Sequence, residues 1–213
     1  MGNRLPSTPT PVTNSQMKAA LSQSWQRLWS ETPSEKSLYI LLAHWSLETG
    51  GGSKMIQYNV GNKKAKLNGS WGDFTVFQTY EIINGVRVDM QDAFRAYPSL
   101  DAGCDDYLKG LRGNGNFARA FPAIIAGDPV DFAHQLKLAR YYTADEKLYK
   151  SAMLSRYYAF AADGKYLDKE SLGDALTSLG FADVKSYQLA RGLTADGIAG
   201  TITRGTLALE VGA

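Results

Sequence analysis

A chain of 213 residues with 23 Lys and Arg against 21 Asp and Glu carries a formal charge of +2, too small to recruit a nucleic-acid backbone, so no nucleic-acid partner is expected. With one cysteine, Cys104, and two histidines, the chain can form no internal disulfide and shows no His/Cys cluster with ligand spacing, so neither a metal nor another cofactor is expected. No run approaches the ~20 apolar residues of a membrane span, and residues 1–16, rich in Pro, Ser and Thr, have no apolar signal core and read as a flexible or docking tail.

The first strong element is a helix over Pro33 to Thr49. Thr32 suits the N-cap, Pro33 the first helical position, and Glu35 completes a Thr-x-x-Glu capping box. Leu38, Leu41, Leu42 and Trp45 recur at helical spacing and form its buried face. Glu48 falls three residues after Trp45 and four after His44, at the edge of that face and at the negative end of the helix dipole. Both placements favour the protonated acid, which is what a general acid needs, although a solvated Glu in a last turn is the plainer reading of helix geometry alone. His44, one turn earlier, reads either as a group tuning Glu48 or as a core histidine. Gly50, Gly51 and Gly52 then stop the helix.

A small β-lobe follows. Trp71-Gly72-Asp73-Phe74 leads into a β-prone run from Thr75 to Ile83, and Asn84-Gly85 separates it from Val86-Arg87-Val88, which is a strong hairpin signal. Glu81 lies on the first strand with Asp73 and Asp89 nearby. Two carboxylates across a cleft are what glycoside hydrolysis requires, one protonating the leaving oxygen and the other acting as nucleophile, base or stabiliser. Trp71 and Phe74 serve either a sugar-stacking wall or the packing of the lobe.

Helices account for the rest of this segment. Ser99 caps one to Leu111, with Cys104, Tyr107 and Leu108 on its apolar side; Phe117, Ala120, Phe121, Ile124 and Ile125 form a stripe ended by Gly127; Asp128-Pro129 opens another. A further helix is expected from Asp145 to Ala161, with Leu148, Tyr149, Ala152, Met153 and Tyr157 on one face. By themselves Tyr141 and Tyr142 are aromatics at a helix end, and His134 is structural.

The stretches Leu41 to Gly50, Asn59-Val60-Gly61-Asn62-Lys63, Thr79-Tyr80-Glu81, Phe94-Arg95-Ala96-Tyr97 and Arg140 to Asp145 together resemble, in order, the landmarks of the flagellar-type bacterial glucosaminidases of glycoside hydrolase family 73. The resemblance covers residues 17–162. It implies a lysozyme-like fold, cleavage of the β-1,4-linked glycan of peptidoglycan, Glu48 as general acid, Glu81 as second carboxylate, and Tyr141 as a cleft residue near the substrate's N-acetyl group. Asn59, Trp71, Asp73 and Tyr142 complete the candidate substrate contacts, with Asp73 also the reserve second acid. Two departures stand out: the family commonly has Asn-Leu-Phe-Gly-Ile-Lys at the second landmark, and Gly where this chain has Arg140.

Beyond a boundary near Ala161 to Lys165, Leu172, Ala175, Leu176 and Leu179 form a stripe ended by Gly180, and a second helix from Val184 ends at Gly192. Val184 to Leu207 resembles a shortened peptidoglycan-binding domain type 1. In its loop, Asp196 is expected to satisfy local backbone donors.

The expected architecture is thus α+β and mainly α: a tail over 1–16, a lysozyme-like glucosaminidase domain with a small hairpin lobe over 17–163, and an all-α binding module over 164–213. The expected partner is the peptidoglycan glycan strand, with the chain a monomer. Without a recognisable signal, delivery to the periplasm or wall is expected as a phage endolysin, a virion-associated lysin or an injection-machine lysin, with the tail docking to a phage or contractile particle. A lytic transglycosylase or muramidase on the same glycan, and a non-catalytic wall-docking component, are the competing readings.

Overall fold

The computed structural model describes residues 1–83, 86–161 and 169–211, with the backbone alone at 79–83, 169–171, 201, 208 and 209. The chain divides into two compact units, Met1–Met153 and Leu154–Ala213. The boundary expected near Ala161 to Lys165 falls almost wholly outside the described residues.

The first unit opens with an extended segment and then α1 (Asn14–Trp29). Thr13 and Gln16 form a capping box, each side chain accepting the other's backbone N–H, and Met17, Ala20, Leu21, Ser24 and Trp25 bury one side. The helix α2 (Glu35–Thr49) is the core element, buried at Leu38 and along the whole run from Ile40 to Trp45, as a helix apolar nearly all round must be. Each fully covered Leu or Ile here contributes about 1.5–3 kcal/mol of transfer free energy.

Its start differs from expectation: Ser34, not Thr32, is the N-cap. Ser34 accepts the Ser37 N–H at 3.1 Å, Ser37 Oγ donates to the Ile124 carbonyl at 3.1 Å, and Thr32 donates to Gln26 Oε1 at 3.3 Å. A tertiary bond at Ser37 therefore fixes the first turn two residues later than the local capping box would.

The strands β1 (Phe74–Ile83) and β2 (Val86–Arg95) pair antiparallel from Phe74↔Arg95 to Ile83↔Val86. The expected Asn84-Gly85 turn lies outside the described residues, but the last pair brackets a two-residue connection. At its base the hairpin is flanked on both edges, by an Arg4↔Phe74 parallel bridge and a Lys64↔Phe94 antiparallel one. Residues 1–16, expected to be a flexible tail, are tied down: Phe74 N–H donates to Asn3 O at 3.0 Å, Leu5 N–H to Phe74 O at 2.7 Å, Thr10 N–H to Met55 O at 2.9 Å and Gln57 N–H to Thr8 O at 3.0 Å. A Pro-rich segment forms no helix of its own, yet its backbone groups can pair with an exposed strand edge.

The remaining helices are α3 (Leu100–Arg112), capped by Ser99 as expected, α4 (Phe121–Ala126) after a 3-10 turn, α5 (Pro129–Leu138), capped by Asp128, and α6 (Glu146–Ala161). Cys104 is a buried core residue 3.9 Å from Met17 Sδ. On α6 Tyr149, Met153 and Tyr157 are buried, whereas Leu148, assigned to the same face, is 71% exposed. The three buried residues recur every four positions, and a one-residue offset rotates Leu148 by about 100° into solvent.

Among the described residues the second unit contains the end of α6 and three further helices, α7 (Lys169–Ser178), α8 (Val184–Ala190) and α9 (Thr201–Val211). Ala175, Leu176, Tyr187 and Leu207 are buried together, with Leu172, Leu179, Phe181, Val184, Leu193 and Val211 packed around them. Asp196 Oδ1 accepts the Ile198 N–H at 2.8 Å and a Gln188 N–H at 2.9 Å. The buried Gln188 amide also donates to Thr203 Oγ1 and Ile198 O and accepts from Gly197 N–H, so one glutamine holds the whole loop.

Candidate active site

Glu48 sits two residues before Gly50, the left-handed C-cap of α2. The three glycines turn the chain sharply, with φ of 58°, 66° and 84°. At Gly52 a β-carbon would stand 2.5 Å from the Val12 carbonyl oxygen and 2.6 Å from the Trp45 ring, so only glycine lets the chain return against the helix it has just left. The returning loop then forms one wall beside the carboxyl group. Glu48 lines a cleft with the apolar Met55, Ile56, Phe77 and Phe94 and the polar Lys54, Asn59 and Asn62. Phe77 and Phe94, from opposite strands, stack at 4.2 Å.

Burial pushes the Glu48 carboxyl up to about 7, against the opposing effect of a Tyr149 hydrogen bond. Tyr149 donates its O–H to Glu48 Oε1 at 2.8 Å, so the acidic proton belongs on Oε2. His44 Nε2 lies 3.7 Å from the same Oε1. That approach is not an ion pair, because full burial holds the His44 imidazole down to about 3 and hence neutral. Among the described residues no Lys or Arg pairs with Glu48. A desolvated carboxyl with one hydroxyl donor and no cation is an acid that still holds its proton near neutral pH.

Aromatic rings back this group. Tyr142 stacks on Tyr149 at 3.7 Å between centroids and 7° between planes, and donates to the Ala133 carbonyl at 3.0 Å. Tyr141 lies 5.0 Å from both His44 and Phe117 and donates to the Gly61 carbonyl. The turn before it is strained: Arg140 has φ of 58°, the left-handed region glycine occupies without penalty.

The expected site residues separate into three groups. Glu48 and Asn59 line one cleft; Tyr141 and Tyr142 form the aromatic backing; Trp71 and Asp73 stand at the base of the hairpin. Asn59 is buried, its amide donating to the carbonyls of Lys63 and Arg95 and accepting the Lys63 N–H, which makes it a clamp between the loop and β2. Asp73 accepts the Asn3 N–H at 2.7 Å. Trp71 is 49% exposed, with Lys66 Nζ 4.9 Å from its ring. Glu81 pairs with Val88 in the sheet; its side chain lies outside what is described. Tyr149 is the residue that sequence reasoning placed in the core without a role. It stands 101 positions from Glu48, and its only local signal is an i, i+4 aromatic in an apolar stripe.

Comparison with known proteins gives the same outline. The family model described as mannosyl-glycoprotein endo-beta-N-acetylglucosaminidase matches residues 23–172. The peptidoglycan hydrolase FlgJ of Vibrio cholerae is 30% identical over 148 residues, which is 65% of this chain and 44% of that relative. FlgJ of Vibrio parahaemolyticus is 32% identical over 109 residues, 49% of this chain and 35% of the relative. The chain thus spans less than half the length of either curated relative. The crystal structure of a peptidoglycan hydrolase mutant from Sphingomonas sp. A1 superposes with a TM-score of 0.51 at 26% identity, over 67% of this chain and 86% of that one.

Proposed function

Since this chain belongs to the glucosaminidase family, with its mainly helical lysozyme-like fold, we propose that it is a peptidoglycan hydrolase that cleaves the β-1,4 glycan as an endo-β-N-acetylglucosaminidase. The observation that carries the reading is Glu48, a carboxyl held up to about 7 by burial at the wall of an open cleft. In this reading the Oε2 proton passes to the glycosidic oxygen as an oxocarbenium-like state develops. Glu81 stabilises that state or activates water, Asp73 being the reserve, and participation by the substrate's acetamido group relaxes the need for a close second carboxylate. Tyr141, Tyr142, Asn59 and Trp71 shape the substrate path, with Tyr141 nearest the N-acetyl group.

Residues 164–213, within the second unit, are read as a wall-binding module, supported by the helix, loop and helix pattern and by Ile198, 68% exposed on the loop. The enzyme acts outside the cytoplasm, at the wall, and the reading extends to delivery as a phage endolysin, virion-associated lysin or injection-machine lysin.

Purified peptidoglycan digested with the wild-type chain and with Glu48→Gln tests the chemistry. Fragments ending in reducing GlcNAc, reduced about a thousandfold in the variant, are expected. Anhydro ends make the protein a transglycosylase, and no fragments from either chain, with sacculus binding intact, leave a docking component. Sedimentation of Glu48→Gln with sacculi, weakened by Ile198→Asp, is the expected result for the second unit, and particle-associated protein in purified virions would support the delivery route.

A further inference from the structure

Behind Glu48 lies a buried pair that hydrolysis by two carboxylates leaves unused. His44 is completely covered, and its Nδ1 stands 2.7 Å from Tyr107 Oη of α3. Its other nitrogen, Nε2, is buried with no hydrogen-bond partner and points toward Glu48 Oε1 at 3.7 Å. The proton positions follow from the network. A buried phenol needs an acceptor, and among the described residues His44 Nδ1 is the one in reach of Tyr107. Nδ1 is therefore the lone pair and Nε2 carries the hydrogen. The opposite tautomer would strand the phenol proton and set the Nε2 lone pair against an oxygen of Glu48.

We propose that Tyr107 and His44 are positioning residues that hold an N–H against Glu48 Oε1 and draw up to it as the acid gives its proton away. The proposal rests on Glu48 being the general acid. In the step, the Oε2–H bond breaks, its proton forms a bond to the glycosidic oxygen, and the electron pair stays on the carboxylate. Oε1 then accepts from both Tyr149 O–H and His44 Nε2–H, while no proton moves along the pair. A gap of 3.7 Å is too long for a hydrogen bond to the neutral acid; it shortens to a charge-assisted bond only when the charge appears. An interaction stronger in the transition state than in the ground state is the kind that raises kcat.

The phenols packed around Glu48 carry no charge of their own, and Tyr149 is the one that already donates to Oε1. Tyr107 on α3, Tyr141 after α5 and Tyr149 on α6 are phenols that burial keeps neutral. Lys54 and Asn62 line the cleft together with Glu48.

The test is the pH profile of kcat and kcat/KM on peptidoglycan for Tyr107→Phe, His44→Leu and His44→Gln beside the wild type and Glu48→Gln. Tyr107→Phe and His44→Leu should lower kcat about tenfold with KM little changed. Their alkaline limb should move up by about half a unit or more, because ionised Glu48 has lost a donor. His44→Gln, which restores an N–H, should recover most of both effects. Activity that falls while the limb stays fixed assigns the pair to packing and overturns the proposal. If His44→Leu fails to fold, Tyr107→Phe, which keeps the ring, decides alone. An active Glu48→Gln overturns the general-acid reading itself, whereas an inactive Glu48→Gln with unmoved limbs in the other variants overturns only the positioning role of the pair.

Discussion

Two partly buried carboxylates of the first unit, Glu48 on α2 and Asp106 on α3, answer burial in opposite ways. Burial pushes both upward. Glu48 has only the Tyr149 hydroxyl to oppose it and rises to about 7. Asp106 is contacted by Lys63 Nζ at 2.5 Å, Arg95 at 2.9 Å and the Tyr97 hydroxyl at 2.6 Å, and these hold it below the usual carboxylate range. The partners decide together with the depth, since Glu48 is also the more deeply covered of the two. They also divide the labour: Asp106 ties the loop at Lys63 and the strand at Arg95 to α3, and that tie keeps the cleft wall in place while Glu48 is left without a cation.

Removing the charge from each acid should separate these roles. Asp106→Asn leaves Lys63 and Arg95 facing a neutral group and should cost about 3 kcal/mol in denaturant unfolding at neutral pH. Because the folded state holds Asp106 low, its contribution is present above the ordinary carboxylate range and is lost on acidification, so variant and wild type should converge in acid. Glu48→Gln should have the opposite sign. A raised folded-state pKa means wild-type stability falls as pH rises from about 4.5 to about 7. The variant should therefore match wild type at pH ~5 and exceed it by about 2 kcal/mol at pH ~8; equal stability at both would show that Glu48 is not desolvated.

Tyr149→Phe keeps the stack on Tyr142 but removes the single hydroxyl donor of Glu48. Its kcat should fall about tenfold and its alkaline limb move upward, read from the pH profile. The smallest effect is expected away from both acids. Arg140→Gly relieves the left-handed backbone at φ 58° and should stabilise the fold by about 0.5–1 kcal/mol, visible as a modest rise in Tm with activity retained.

What the sequence revealed was mainly local. Glu48 was legible because a capped apolar helix running into three glycines places it, and the hairpin because Asn-Gly stood between two β-rich runs. The N-cap was misplaced by two residues since the Ser37 bond to Ile124 crosses 87 positions. Tyr149 and Tyr107 were legible only as apolar-face aromatics, since their hydroxyl partners lie 101 and 63 positions away. Asn59 was found for its pattern, yet its atoms join Lys63 to Arg95, a pairing that appears only when the loop lies against β2. The Pro-rich start showed no pattern of its own, and an edge to pair with exists only once β1 has formed.

The flanked base of the hairpin makes it a cantilever. It is clamped where Arg4 meets Phe74 and Lys64 meets Phe94, while Val86, 63% exposed, lies at the far end. Any bending of the hairpin then hinges near the clamp and grows toward its far end. Phe77 and Phe94 stack close to the root, so the part of the hairpin that lines the cleft is the part displaced least.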